Sequence, residues 1–222
     1  MNRKNRLASS LGAFLRVLCD LMILNVLWLI CTLPVITVGP ATSALCCVSL
    51  KLARGEPVAT LRTFFEALKQ NIGQTIVLGL IGLAGLVVAA VDWLFAVAQE
   101  GNMRTLYFIV GVIVSAIVLA YWAWAFALNA GFENSLKGTI KNAFSLAFVE
   151  PGKTLLIWIA FAVPVLCFLF LPVEAVIYIG WAYILFAVSA PAYLAARQQV
   201  KVFARFGGPA VQIDPNEDHF YQ

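Results

Sequence analysis

Apolar stretches long enough to cross a bilayer dominate this chain. A helix needs about 20 predominantly apolar residues to span the hydrocarbon core, and segments 11–33, 72–98, 105–130, 154–171 and 175–196 supply them. A shorter apolar segment, 37–53, opens around Gly39-Pro40 and holds Thr42, Ser43 and Ser49. It reads either as a sixth span or as a re-entrant helix. Hydrophobic residues make up 62% of the 222 residues and charged residues 12%, against about 45–50% and 25% in an ordinary soluble domain. The expected fold is therefore all-α. It is a polytopic transmembrane helical bundle over residues 1–206, with six spans and five as the rival count, followed by a polar tail at 207–222. The lipid bilayer is its first partner.

Charge sets the orientation. Lys and Arg accumulate on the cytoplasmic side of membrane proteins. With six spans and the N-terminus inside, thirteen of the fifteen Lys and Arg residues fall in cytoplasmic segments, Arg104 falls outside, and Arg16 lies in the first span. Five spans with the N-terminus outside leaves ten inside and four outside. The six-span arrangement, with both termini cytoplasmic, explains the charges best. Arg3, Lys4 and Arg6 precede the first stretch, which is too long for the apolar part of a signal peptide and has no small-residue cleavage motif after it. An uncleaved span is expected there. The net charge of +4 is too small to suggest nucleic acid.

Two cytoplasmic segments look amphipathic. Val58, Leu61, Phe64, Phe65, Leu68 and Ile72 share one helical face, and so do Leu136, Ile140, Ala143, Phe144 and Ala147. Both read as elbow helices at the interface, each feeding a hairpin of spans. Together they form a weak parallel repeat. Arg197, Lys201 and Arg205 extend the last span as a basic stripe, which Gly207-Gly208-Pro209 should end.

Polar residues inside the spans are the candidates for function. A charge at the centre of a membrane helix costs roughly 2.5–3.5 kcal/mol on insertion scales. Asp20 sits near the middle of the first span with Arg16 one turn earlier, on the same face. The two read as an internal ion pair, or as part of an ion pathway or a partner contact. Asn25, Asn129 and Asn142 are placed to bridge helices. Gly79, Gly82 and Gly85 recur every third residue and suit close helix approach. The segment Leu33-Pro34-Val35-Ile36-Thr37-Val38-Gly39-Pro40-Ala41-Thr42 is the most unusual local feature. Pro34 should end one helix, Gly39 permits an irregular or left-handed backbone, and Pro40 suits the first turn of the next helix. Free N–H groups near Thr42 and Ser43 would suit an anion or a carbonyl. The alternative is a tight turn at the outer surface, satisfied by Thr37, Thr42 and water.

Catalytic and metal chemistry find little support. The single histidine, His219, lies in the C-terminal tail, which removes histidine-rich metal sites. The five cysteines form no C-x-x-C pair and read as small buried hydrophobes. No G-x-S-x-G or H-E-x-x-H motif occurs. Neither an enzyme nor a cofactor is expected.

Asn25-Val26-Leu27-Trp28-Leu29, followed by Thr37-Val38-Gly39-Pro40-Ala41-Thr42-Ser43-Ala44-Leu45, resembles the YesL family of bacterial membrane proteins, which opens with an L-N-x-x-W helix and then T-x-G-P-A-T-x-A-L. Lys51-Leu52-Ala53-Arg54-Gly55-Glu56, Phe64 to Asn71, Asn142-Ala143-Phe144 and Lys153-Thr154-Leu155-Leu156 are similar to its later segments. The resemblance implies a multi-pass protein of the bacterial plasma membrane with no defined activity, serving as an accessory or regulatory component linked to carbohydrate uptake. The implied partner is a sugar ABC transporter or another membrane protein. A small solute or ion transporter is the second reading, supported by the weak repeat, the Gly39-Pro40 break and the charged residues of the first span.

Overall fold

A computed structural model describes residues 3–170 and 172–206. Nine α-helices and no strand occur among the described residues. They are α1 (Arg3–Cys31), α2 (Val38–Arg54), α3 (Thr60–Lys69), α4 (Ile72–Ala98), α5 (Gly101–Gly131), α6 (Leu136–Val149), α7 (Pro151–Phe170), α8 (Val173–Phe186) and α9 (Ser189–Phe203). Five segments are long and apolar enough to cross a membrane: Phe14–Cys31, Val35–Arg54, Ile72–Ala98, Gly101–Gly131 and Pro151–Phe170. The protein is an all-α polytopic bundle. Its polar tail, with the expected Gly207-Gly208-Pro209 stop, lies outside the described residues.

Local chemistry sets the boundaries. Gly55 ends α2 with φ +78°; its N–H donates to Leu52 O and Lys51 O, and Glu56 N donates to Lys51 O at 3.1 Å. This is a left-handed glycine cap that consumes the last carbonyls of the helix. The Ser135 hydroxyl caps α6 by accepting from Gly138 N at 3.2 Å. Pro151 occupies the first position of α7, where its missing N–H costs nothing.

The short apolar segment 37–53 is the hub of the bundle. In α2, 61% of the spanning window is enclosed by protein, against 11–22% in the other four. Leu45, Val48 and Leu52 pack with Leu21, Leu24, Phe64 and Ala192. Leu50, on the other side, packs with Leu78, Trp124, Phe126 and Phe203. Both elbow helices form where expected. Phe64 of α3 is fully buried against α1 and α2, with Val58 and Leu68 beside it, while Leu61 and Phe65 stay exposed. Leu136, Ile140, Ala143, Phe144 and Ala147 of α6 all join the core under α5. The order elbow then hairpin recurs, as α3–α4–α5 and α6–α7–α8.

The last apolar segment departs from expectation. Residues 175–196 read as one span, but α8 ends at Phe186, a turn covers Ala187 and Val188, and α9 begins at Ser189. Pro191 explains the break: inside a continuous helix its ring would meet the carbonyl of Ala187 and one backbone bond would vanish. Placed in the first turn of a new helix, it costs little. The cysteines are unpaired, as expected, but less buried than expected. All five are free, Cys19 and Cys167 are exposed, and Cys31, Cys46 and Cys47 are half-buried.

Candidate functional site

The α1–α2 junction closes on its own side chains. Thr32 N donates to Trp28 O at 2.9 Å, and Pro34 leads into a single 3-10 turn at Val35–Thr37. The Thr37 hydroxyl lies 2.5 Å from Cys31 O and 2.6 Å from Pro34 O, so it serves the carbonyls left open at the end of α1. The Thr42 hydroxyl donates to Val38 O at 2.7 Å and accepts from Trp28 Nε1 at 3.3 Å. Because α2 begins at Val38, the N–H groups of Thr42 and Ser43 lie beyond the first four helical positions. They are not the open donors that the sequence suggested. Pro40 does fall in the first turn.

Gly39 has a different reason from the one expected. Its φ is not positive; the glycines in that region are Gly55 and Gly101, joined by Asn71 at φ 51°. A Cβ on Gly39 would instead sit 2.0 Å from Thr75 O and 3.0 Å from Gly79 Cα. A Cβ on Gly79 would reach Gly39 Cα at 2.6 Å. The two glycines let α2 and α4 cross backbone on backbone. The same row on α4 receives α5: Cβ atoms on Gly82 and Gly85 would meet Trp122 and Val118, each at 2.9 Å.

Asp20 finds its partner on another helix. The buried Thr60 hydroxyl, first residue of α3, donates to Asp20 Oδ1 at 2.7 Å, tying the α3 elbow to α1. Arg16 is exposed one turn earlier on α1.

Asn25 makes the most elaborate polar contact. Fully buried, it fills the α8–α9 break. Its Nδ2 donates to Ile184 O at 2.8 Å and approaches Tyr183 O at 3.5 Å; its Oδ1 accepts from Val188 N at 3.0 Å and Ser189 N at 2.8 Å. One carboxamide thus satisfies carbonyls at the end of one helix and N–H groups at the start of the next. The Tyr183 hydroxyl donates to Pro164 O, tying α8 to α7 at the proline inside that helix.

A second polar cluster joins α2, α4 and α5. Asn129 Nδ2 donates to Ser43 Oγ at 3.1 Å, and Gln74 Nε2 donates to Asn129 Oδ1 and to Asn134 O, each at 2.9 Å. Ser43, Cys47, Asn129, Gln70 and Asn71 line a cavity of about 10 Å³, room for one water molecule. Asn142 lies exposed on α6 rather than at a helix crossing. Gln74, Tyr121, which donates to Leu78 O at 2.7 Å, and Gln199, which donates to Ala123 O at 2.7 Å, belong to the same set of internal ties and escaped the sequence reading. Gln74 and Gln199 carried the one available signal: a polar side chain at the edge of an apolar run.

Charges gather at the other ends of the helices. Glu150 takes Arg205 at 2.8 Å and Lys153 at 3.4 Å, fastening the end of α9 to the start of α7. Arg54 meets Glu56 at 3.4 Å. Exposed Arg62 donates to Glu66 at 2.7 Å, and that hydrogen bond raises its pKa above the usual arginine value. Among the described residues no group of three or more His, Cys, Asp and Glu is placed to hold a metal ion.

Residues 21–93, from Leu21 in α1 to Trp93 in α4, match the family described as protein of unknown function, DUF624. The uncharacterized protein YesL of Bacillus subtilis (strain 168) is 29% identical over 164 residues, which cover 72% of this chain and 77% of that one. The chain is YesL-like. The matched family is described as being of unknown function, and no solved structure matches. The matched region contains the Gly39–Gly79 crossing and Thr60, whose partner Asp20 lies one residue before it.

Proposed function

We propose that this YesL-like protein is a non-catalytic accessory or regulatory component of a membrane assembly linked to carbohydrate uptake. It would sit in the bacterial cell membrane with both termini cytoplasmic. The observation that supports a non-transporting role is the internal use of polar groups. Asn25, Thr37, Thr42, Asn129 and Tyr121 all spend their hydrogen bonds on the chain's own backbone or side chains. A translocation path needs such groups directed at a solute. The link to carbohydrate uptake comes from the resemblance of the Thr37–Leu45 stretch to the YesL family, and the orientation comes from the Lys and Arg distribution.

One feature favours the second reading, a small transporter. Broken helices offer backbone groups to substrates in many carriers, and α8–α9 is a broken helix. Here Asn25 occupies it. Cross-linking in native membranes followed by co-purification tests the proposal: capture of a sugar transporter's permease subunit is the expected result. Recovery of the protein alone, with solute flux in liposomes, would favour the transporter.

A further inference from the structure

Helix α2 has a spanning composition, but its position against the longer hairpin limits how far it can reach. Its second residue, Gly39, abuts Thr75 and Gly79, in the first two turns of α4. Its sixth residue, Ser43, bonds Asn129, and a Cβ on Gly131 would meet Leu50. The last turns of α5 therefore run beside α2. Leu80 to Ala98 of α4 and Gly101 to Ala120 of α5 extend beyond its start. At 1.5 Å per residue that extension is roughly 28–30 Å, a full hydrocarbon thickness. Its outward faces are apolar, with Val87, Leu94, Ile109 and Ile113 exposed. Charges lie at the level of α2 itself: α3 packs along it, exposes Arg62 and Glu66, and ends at Lys69 beside the cavity that Ser43 and Cys47 line.

The α1–α2 turn is built for lipid. Leu33, Val35 and Ile36 are exposed by 80%, 64% and 61%, a run poorly suited to a turn in water. The backbone carbonyls that such a turn frees are taken by Thr37, as irregular backbone at membrane depth requires.

We propose that α1 and α2 form a re-entrant hairpin. Its turn is embedded among the acyl chains of the cytoplasmic leaflet and does not reach the outer surface. The proposal rests on the cytoplasmic placement of the Lys- and Arg-rich ends. A re-entrant hairpin and two full crossings return the chain to the same side, so both give the same charge distribution, and only the packing distinguishes them.

The test places single cysteines at Asn102, Gly138 and Ile36 after the native cysteines are replaced, and treats intact cells with an impermeant thiol reagent. Asn102→Cys should label and Gly138→Cys should not; the reverse would mean the orientation is wrong. Given that orientation, Ile36→Cys should stay unlabelled. A spin label there, in liposomes, should collide with oxygen far more than with a water-soluble nickel chelate. Labelling of Ile36→Cys as fast as Asn102→Cys, or equal access to the chelate at both, would overturn the proposal. Ile36→Asp in the chain with its native cysteines gives an independent reading. It should lower the yield of folded protein in membranes, and an unchanged yield would contradict a turn set in lipid.

Discussion

Gly39→Ala adds one carbon where α2 and α4 touch through their backbones. The new Cβ would stand 2.0 Å from Thr75 O, while ordinary contact begins near 3.4 Å. Neither partner is a side chain that can rotate away, so the helices must separate by more than 1 Å. Overpacking of this kind costs about 1–3 kcal/mol, and a backbone-on-backbone clash belongs at the upper end. For a chain of this size 1 kcal/mol moves the unfolding midpoint by roughly 2–4 °C, so a loss of about 3 kcal/mol lowers it by roughly 6–12 °C. Gly39→Val should be worse. Gly79→Ala strikes the same contact from the other side, at 2.6 Å from Gly39 Cα. The double variant should cost less than the sum of its parts, because helices already separated admit the second methyl group. Gly73→Ala, in the same helix with nothing within 4 Å of its Cβ, should be neutral or stabilising by up to about 1 kcal/mol. Thermal unfolding in detergent, followed by circular dichroism, reads all five variants. Wild-type stability for Gly39→Ala, or full additivity with Gly79→Ala, would refute the crossing.

Further variants probe three of the polar ties. Asn25→Leu strands Ile184 O and the N–H groups of Val188 and Ser189, each worth about 1–3 kcal/mol when buried without a partner; folded yield should fall and amide exchange at those two residues should quicken. Asp20→Asn keeps an oxygen for the Thr60 hydroxyl and should change stability little, whereas Thr60→Val should destabilise and the pair Asp20→Leu with Thr60→Val should recover most of that loss. Tyr121→Phe removes one buried hydrogen bond to Leu78 O and should cost about 1 kcal/mol in the same unfolding assay.

Hydropathy, periodicity and charge carried the helical class, the long α4–α5 hairpin and both elbow helices, because each is a property of consecutive residues. Pairing across the bundle was not legible. Asn25 and Ser189 are 164 positions apart, and Ser43 and Asn129 are 86 apart; nothing local to either member names the other. Gly39 stands out in the sequence but its reason does not, since a glycine needed for close approach looks the same there as one needed for positive φ. The α8–α9 break was written in Pro191, but the apolar run around it masked the signal.

The claim that the bundle's polar groups hold the protein together, and do not conduct a solute, is tested most directly by measuring sugar uptake with and without its surroundings. Cells lacking the protein should take up less sugar while still containing the permease, and liposomes carrying the purified protein alone should be as tight as empty ones. Sugar or ion flux through those liposomes, abolished by Asn25→Leu or Asn129→Leu variants that still fold, would contradict the account.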